Sequence, residues 1–117
     1  MESWEVVLFV SSAGRSPIQE YLDQIGPDES ARITYELELL EKHGIALGMP
    51  HVRRVVGTDL WERRVRGGIQ HRVFYVGLSG RRFLLLHAFQ KKSQGAPERE
   101  IKTALQRLAD YRRRYRS

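Results

Sequence analysis

The chain has 117 residues, 41% hydrophobic and 29% charged, which fits one globular domain with a modest core and excludes wholesale disorder. Cysteine is absent, so disulfide and thiolate chemistry are excluded and a reducing compartment is compatible. The net charge of +6 is uneven: residues 1–50 carry −6, residues 51–92 carry +8 and residues 93–117 carry +4. A basic second half points to an anionic partner (nucleic acid, an acidic protein or a membrane surface), against the plainer reading of a solvated basic face.

The first element, "WEVVLFV" (residues 4–10), is rich in β-branched and aromatic residues and reads as a strand. In "GRSPIQEYLDQIG", Ser16 is placed as N-cap and Pro17 as first helical residue. Ile18, Tyr21, Leu22 and Ile25 then form one apolar stripe, and Gly26 ends it. "PDESARITYELELLEKHG" repeats that grammar. Asp28 and Glu29 complement the positive end of the helix dipole, Lys42 and His43 the negative end, and Ile33, Leu37 and Leu40 supply the buried face. The two helices are expected to pair as a hairpin.

A glycine-rich connection over residues 44–59 holds a short strand at residues 51–56. Three strand-like segments follow, "LWERRVRG", "IQHRVFYVGL" and "RRFLLLHAFQK", separated by Gly67-Gly68 and Ser79-Gly80, both read as tight turns. A last helix runs from Pro97 to about Arg114, with Ile101, Leu105, Leu108 and Tyr111 or Tyr115 on its apolar side. Residues 112–117, "RRRYRS", read as a frayed basic tail. The fold class is α+β: a single domain over residues 1–117, with an antiparallel β-meander sheet, an N-terminal helix hairpin and a C-terminal helix. Phe74 and Val76 point one way and Val73 and Tyr75 the other, so both sheet faces are expected to be covered. The start lacks a signal-peptide pattern, and no stretch approaches the roughly 20 apolar residues of a membrane span, so a cytoplasmic location is expected.

Metal chemistry fails on spacing. His43, His51, His71 and His87 are scattered with no ligand pattern, and no phosphate-cradling glycine loop or nucleophile elbow appears. The only acids in the basic block are Asp59 and Glu62, so a two-carboxylate or two-metal hydrolase is hard to build. What remains is a cationic cluster on a sheet. If Ser79-Gly80 is a two-residue turn, Arg72 lies opposite His87, and Phe83, Leu85, His87, Phe89 and Lys91 share one face. The first hairpin leaves two registers open: a two-residue loop pairs Arg63 with Arg72, and a three-residue loop pairs Arg64 with it.

A lysine/arginine cluster without metal or other cofactor suits RNA cleavage by the 2′-hydroxyl on its adjacent phosphate, because the substrate supplies its own nucleophile. Arginines hold the phosphate in a fork, a lysine with cationic neighbours can act as base, and His87 could carry a proton. The same cluster would also serve to bind phosphate without cutting. Singly, Arg53, Arg54, Arg63, Arg66, Arg81 and Arg82 are each read first as solvated strand residues, and His87 equally as a core histidine.

"LWERRVRGGIQHRVFYV" and "FLLLHAFQKKSQGAPEREIKTALQRLADY" resemble the RelE/HigB toxin superfamily, and within it the phage-derived, HigB-like branch of type II toxin–antitoxin systems. That resemblance implies a RelE-like fold and a toxin that inhibits translation as a metal-independent, ribosome-dependent mRNA endonuclease. It also implies a cognate helix-turn-helix antitoxin in a hetero-oligomeric complex. Carried over by position, the catalytic set is Arg64, Arg72, Lys91, Lys92 and His87. Arg53, Arg54, Arg63, Arg66 and His71 are expected to contact RNA or the ribosome. Three departures stand out: Arg63 replaces an apolar residue, His71 an aromatic one, and "SQGAP" lacks an extra lysine. Two other functions stay open, a non-catalytic toxin of the same fold acting on a target such as DNA gyrase, and a basic nucleic-acid-binding module.

Overall fold

The computed structural model describes residues 4–44, 52–92 and 97–115. The elements are β1 (Glu5–Leu8), α1 (Pro17–Gln24), α2 (Pro27–His43), β2 (Val52–Arg54), β3 (Trp61–Val65), β4 (His71–Leu78), β5 (Arg82–Gln90) and α3 (Glu98–Arg114). Pro17 and Pro27 each sit in the first turn of a helix, where a missing N–H costs nothing. Ser16 occupies the N-cap of α1 but its hydroxyl makes no capping bond. The predicted strand over residues 51–56 is shorter, and His51 lies outside the described residues, as do residues 93–96 of "SQGAP".

The sheet has five strands in the order β1-β5-β4-β3-β2. β2 to β5 form the expected antiparallel meander, but β1 joins the β5 edge in parallel, so the sheet is mixed rather than purely antiparallel. Hairpin reasoning reaches only strands joined by a turn, and β1 finds its partner across most of the chain.

Helices α1 and α2 cover one face, burying Ile18, Ile33, Leu37 and Leu40 against Val65, Val73, Tyr75, Phe83 and Leu85. Helix α3 covers the other, with Ala104 and Leu108 against Leu60, Phe74, Val76, Leu84, Leu86 and Phe89. Both faces are therefore covered, with Phe74 and Val76 opposite in sense to Val73 and Tyr75, as their alternation predicts.

Two register expectations are corrected. The β4–β5 turn pairs Leu78 with Arg82, one residue longer than a two-residue turn, and Gly80 and Arg81 both take positive φ within it. Further along, Phe74 pairs with His87 while Tyr75 pairs with Leu85, which leaves Leu86 as the extra residue of a β-bulge. Arg72 therefore lies opposite Phe89, not His87. The bulge also inverts strand parity: Phe83 and Leu85 face α1 and α2, whereas His87 and Phe89 face α3, so the five residues expected on one face are split between two.

The expected frayed tail is corrected over residues 112–114, and residues 116–117 lie outside the described residues. α3 stays helical through Arg114 because Asp110 pairs with Arg113 and Arg114 one turn on, Arg112 reaches Asp59, and Arg114 donates to the Val10 carbonyl.

Candidate functional site

Strand pairing on the α3 face lays the basic residues out in rows. β3 and β4 pair Arg64 directly with Arg72, and β4 and β5 pair Arg72 with Phe89. The neighbouring row runs Arg53, Glu62, Phe74 and His87 across β2, β3, β4 and β5. Directly opposed residues in antiparallel strands share a face, so Arg53, Glu62, Arg64, Arg72 and Phe89 lie together. The ladder continues beyond β5, with the Lys91 amide donating to the Gln70 carbonyl at 2.9 Å, so position 91 falls two residues past the Arg72–Phe89 pair.

Two guanidiniums directly opposite each other would repel, and Glu62 offsets that cost. Arg72 Nη1 donates to Glu62 Oε1 at 2.7 Å, and Arg64 Nε lies 3.6 Å from the same oxygen. The side chains of Arg72 and Glu62 are 8% and 11% exposed and that of Arg64 22%, so the triad is a floor with Arg64 towards its rim. The Nε groups of Arg64 and Arg72 are buried without a hydrogen-bond acceptor. Around the floor, Lys91 is half-buried, and Lys92, Arg53 and Arg66 are exposed. No acid other than Glu62 pairs with these cations among the described residues. In the sequence Glu62 stands out only as an acid in a basic block; the shared parity of positions 62 and 64 is the signal that it belongs with the arginines.

Arg63 and His71 fall elsewhere, and their expected contact with RNA or ribosome is corrected. Both are buried on the opposite face, under α1 and α2. Arg63 has no exposed side-chain area; it pairs with Glu36 of α2 and donates to the Arg64 carbonyl at 3.0 Å. Burial pulls its guanidinium below its ordinary pKa, and Glu36 opposes that shift. His71 accepts from the Tyr21 hydroxyl at Nδ1 (2.6 Å), and its Nε2 donates to Glu29 Oε1 at 2.8 Å. The Glu29 carboxylate only accepts, so the ring proton sits on Nε2 and Nδ1 of the neutral tautomer is left to take the Tyr21 O–H; burial pushes the Tyr21 pKa up to about 12. Glu29 also takes Arg32 Nη1 at 3.0 Å. The two positions where the resemblance implies an apolar or aromatic residue are inward-facing here, and acids seven residues apart on α2 compensate the polar side chains.

His87 shares the α3 face, but both its ring nitrogens are engaged. Nε2 bonds Glu100 Oε1 at 2.6 Å, and Nδ1 accepts from Arg107 Nη1 at 2.9 Å. Arg107 Nη1 also donates to the Leu86 carbonyl at 2.9 Å, satisfying the acceptor the bulge displaces from the ladder. Burial holds the His87 pKa below its ordinary value, against the pull of Glu100. A neutral imidazole clamped this way ties α3 to the bulge and offers no free nitrogen for a proton shuttle. Arg54, on the other face of β2, is exposed but occupied: it donates to the Thr58 carbonyl and lies over the Trp61 ring at 5.5 Å.

Among the described residues, no group of three histidines and acids could hold a metal ion, and no helix is long and apolar enough to cross a membrane.

A family model described as "Phage derived protein Gp49-like (DUF891)" matches residues 20–109. The match covers well over half of the chain, and the chain belongs to that family, a phage-derived, toxin-like group related to RelE/HigB-type toxins. The mixed five-stranded sheet with three helices is consistent, in general terms, with a RelE-like fold. No curated protein matches the chain.

Proposed function

We propose that this protein is the toxin of a type II toxin–antitoxin pair of the HigB-like branch, and that it cuts mRNA in the ribosomal A site without a metal ion. The observation that carries the reading is the direct pairing of Arg64 with Arg72 on one sheet face, with Lys91 two residues further along the ladder. Two guanidinium forks and two lysines match the needs of a phosphate that becomes a phosphorane: donors in a fixed plane, then charge neutralisation and a proton for the leaving oxygen. Arg64 and Arg72 hold the phosphate; Lys91 and Lys92 stabilise the developing charge and protonate the departing 5′-oxygen. Exposed Arg53 and Arg66 add sequence-independent attraction to flanking phosphates. A helix-turn-helix antitoxin is the partner expected to hold the toxin inactive.

Alanine at both Lys91 and Lys92 should abolish growth arrest on expression while the melting temperature stays within a few degrees of wild type. Messenger RNA from arrested cells should carry new in-frame cuts that require translation. A fully toxic double variant sinks the site assignment; intact mRNA with damaged DNA supports the gyrase-type reading instead. A second reading, phosphate binding without cleavage, draws on Glu62, which lets Arg64 and Arg72 stand together with no visitor present. It predicts crosslinks to RNA and no cuts.

A further inference from the structure

We propose that Glu62 is the general base of this site, taking the proton of the ribose 2′-hydroxyl through its Oε2. The inference rests on the nuclease reading above and adds the one role that reading leaves empty.

A carboxylate between two arginines can be a purely structural ion pair. The way Glu62 is held separates the two cases. Its contacts converge on one oxygen: Arg72 Nη1 at 2.7 Å and Arg64 Nε at 3.6 Å both meet Oε1. Oε2 takes no hydrogen bond from any described residue. One oxygen is thus fixed in direction by two cations, and the other keeps a lone pair for a proton. The pair also points each fork: Arg72 spends Nη1 on Glu62 while its buried Nε has no acceptor. A phosphate bound at the arginines would bring the adjacent 2′-hydroxyl within reach of the carboxylate that orients them.

Two other acids near this face are committed elsewhere. Glu100 is bound to His87, and Asp59, exposed in the β2–β3 connection, pairs with Arg54 and Arg112. Glu62 is the remaining carboxylate on the cationic rows among the described residues.

The step balances without a further reactant. Oε2 of Glu62 accepts the 2′-hydroxyl proton as O2′ bonds to phosphorus. The P–O5′ bond breaks, and the leaving O5′ takes a proton from the Lys91 or Lys92 ammonium. The products are a 2′,3′-cyclic phosphate and a 5′-hydroxyl, and water exchange restores the carboxylate and the ammonium.

The test is single-turnover cleavage of mRNA on programmed ribosomes by wild-type protein and by Glu62→Gln, which keeps an oxygen for the arginines but is a far weaker base. Binding is measured with an mRNA carrying 2′-deoxyribose at the scissile position. The expected result is a cleavage rate lower by about 100-fold or more, with affinity for the deoxy substrate changed by less than about threefold. The wild-type rate should also fall with unit slope at low pH, a limb absent in E62Q. The charged groups facing Glu62 among the described residues are Arg64, Arg72 from β4 and Arg53 from β2, guanidiniums that keep their charge over that range. E62Q within about tenfold of wild type overturns the assignment. So does a loss that appears as weaker binding with the acidic limb intact, because that marks a positioning residue. Should E62Q fail to fold, the wild-type profile decides, and a rate with no acidic limb overturns the proposal. Wild-type protein that binds ribosomes without cutting refutes the nuclease reading and this assignment together.

Discussion

Arg63 and Glu36 allow a sharp test of how a buried charge is supported. Arg63 has no exposed side-chain area, while the Glu36 side chain is 21% exposed at the α2 rim. Truncating Glu36 to alanine leaves a guanidinium in the core between α2 and the sheet. Breaking a fully buried pair this way costs about 3–5 kcal/mol. Water reaching the Glu36 position softens the penalty, so about 3 kcal/mol is expected. At roughly 4 °C per kcal/mol for a chain of this size, the melting temperature should fall by about 12 °C. Arg63→Leu should behave in the opposite sense. It forfeits the guanidinium's bonds, the one to the Arg64 carbonyl among them at about 1 kcal/mol, but buries a leucine beside its strand partners Val52 and Val73 for about 1.5–3 kcal/mol. The partly exposed Glu36 can turn to solvent, so the net change runs from neutral to about 2 kcal/mol more stable. Urea unfolding followed by tryptophan fluorescence at fixed salt measures all three states, and the double variant R63L/E36A should recover most of the E36A loss. If E36A stays within about 1 kcal/mol of wild type, or R63L costs more than about 2 kcal/mol, the argument from desolvation fails.

His87 makes stability depend on pH with a definite sign. Its folded pKa lies below the ordinary histidine value, so the unfolded chain takes up the proton first as pH falls. The contribution is fully present above an unfolded pKa of about 6.5 and is lost as pH drops below it. The unfolding free energy should therefore decline between about pH 7.5 and pH 5, and His87→Asn should flatten that slope; an unchanged slope refutes the clamp. Gly44 closes α2 at φ +56, and a Cβ there would meet the Trp4 indole, which stacks on Phe83 at 4.4 Å. Gly44→Ala should cost about 1–3 kcal/mol. Gly26→Ala, at φ +92 with open space around its Cβ, should cost less in the same urea assay.

Much of this architecture was legible as local pattern. Helix caps, apolar stripes and alternation identify seven of the eight elements near their limits and put Val73 and Phe74 on opposite cores, because these depend on neighbours three or four positions away in a helix and two in a strand. The resemblance singled out Arg64 and Arg72, and the register of the first hairpin then pairs them. Other features depend on residues far apart. Nothing local announces that Leu86 is an extra residue, yet that bulge moves His87 and Phe89 to the α3 face and gives Arg72 a different partner. Nor could composition tell Arg63 and His71 from the solvated basic residues around them. Their burial is decided by Glu36 and Glu29 on α2, which sit 27 and 42 positions away and make inward-pointing polar groups tolerable. The sequence by itself thus determined the elements, their apolar faces and the excess of cations in the second half. Only the tertiary structure decided which of those cations share a face and which are buried against acids, and that Arg72 of the next strand bonds the Glu62 carboxylate. Periodicity fixes the side of an element a residue occupies; what it meets there depends on packing between segments that periodicity cannot relate.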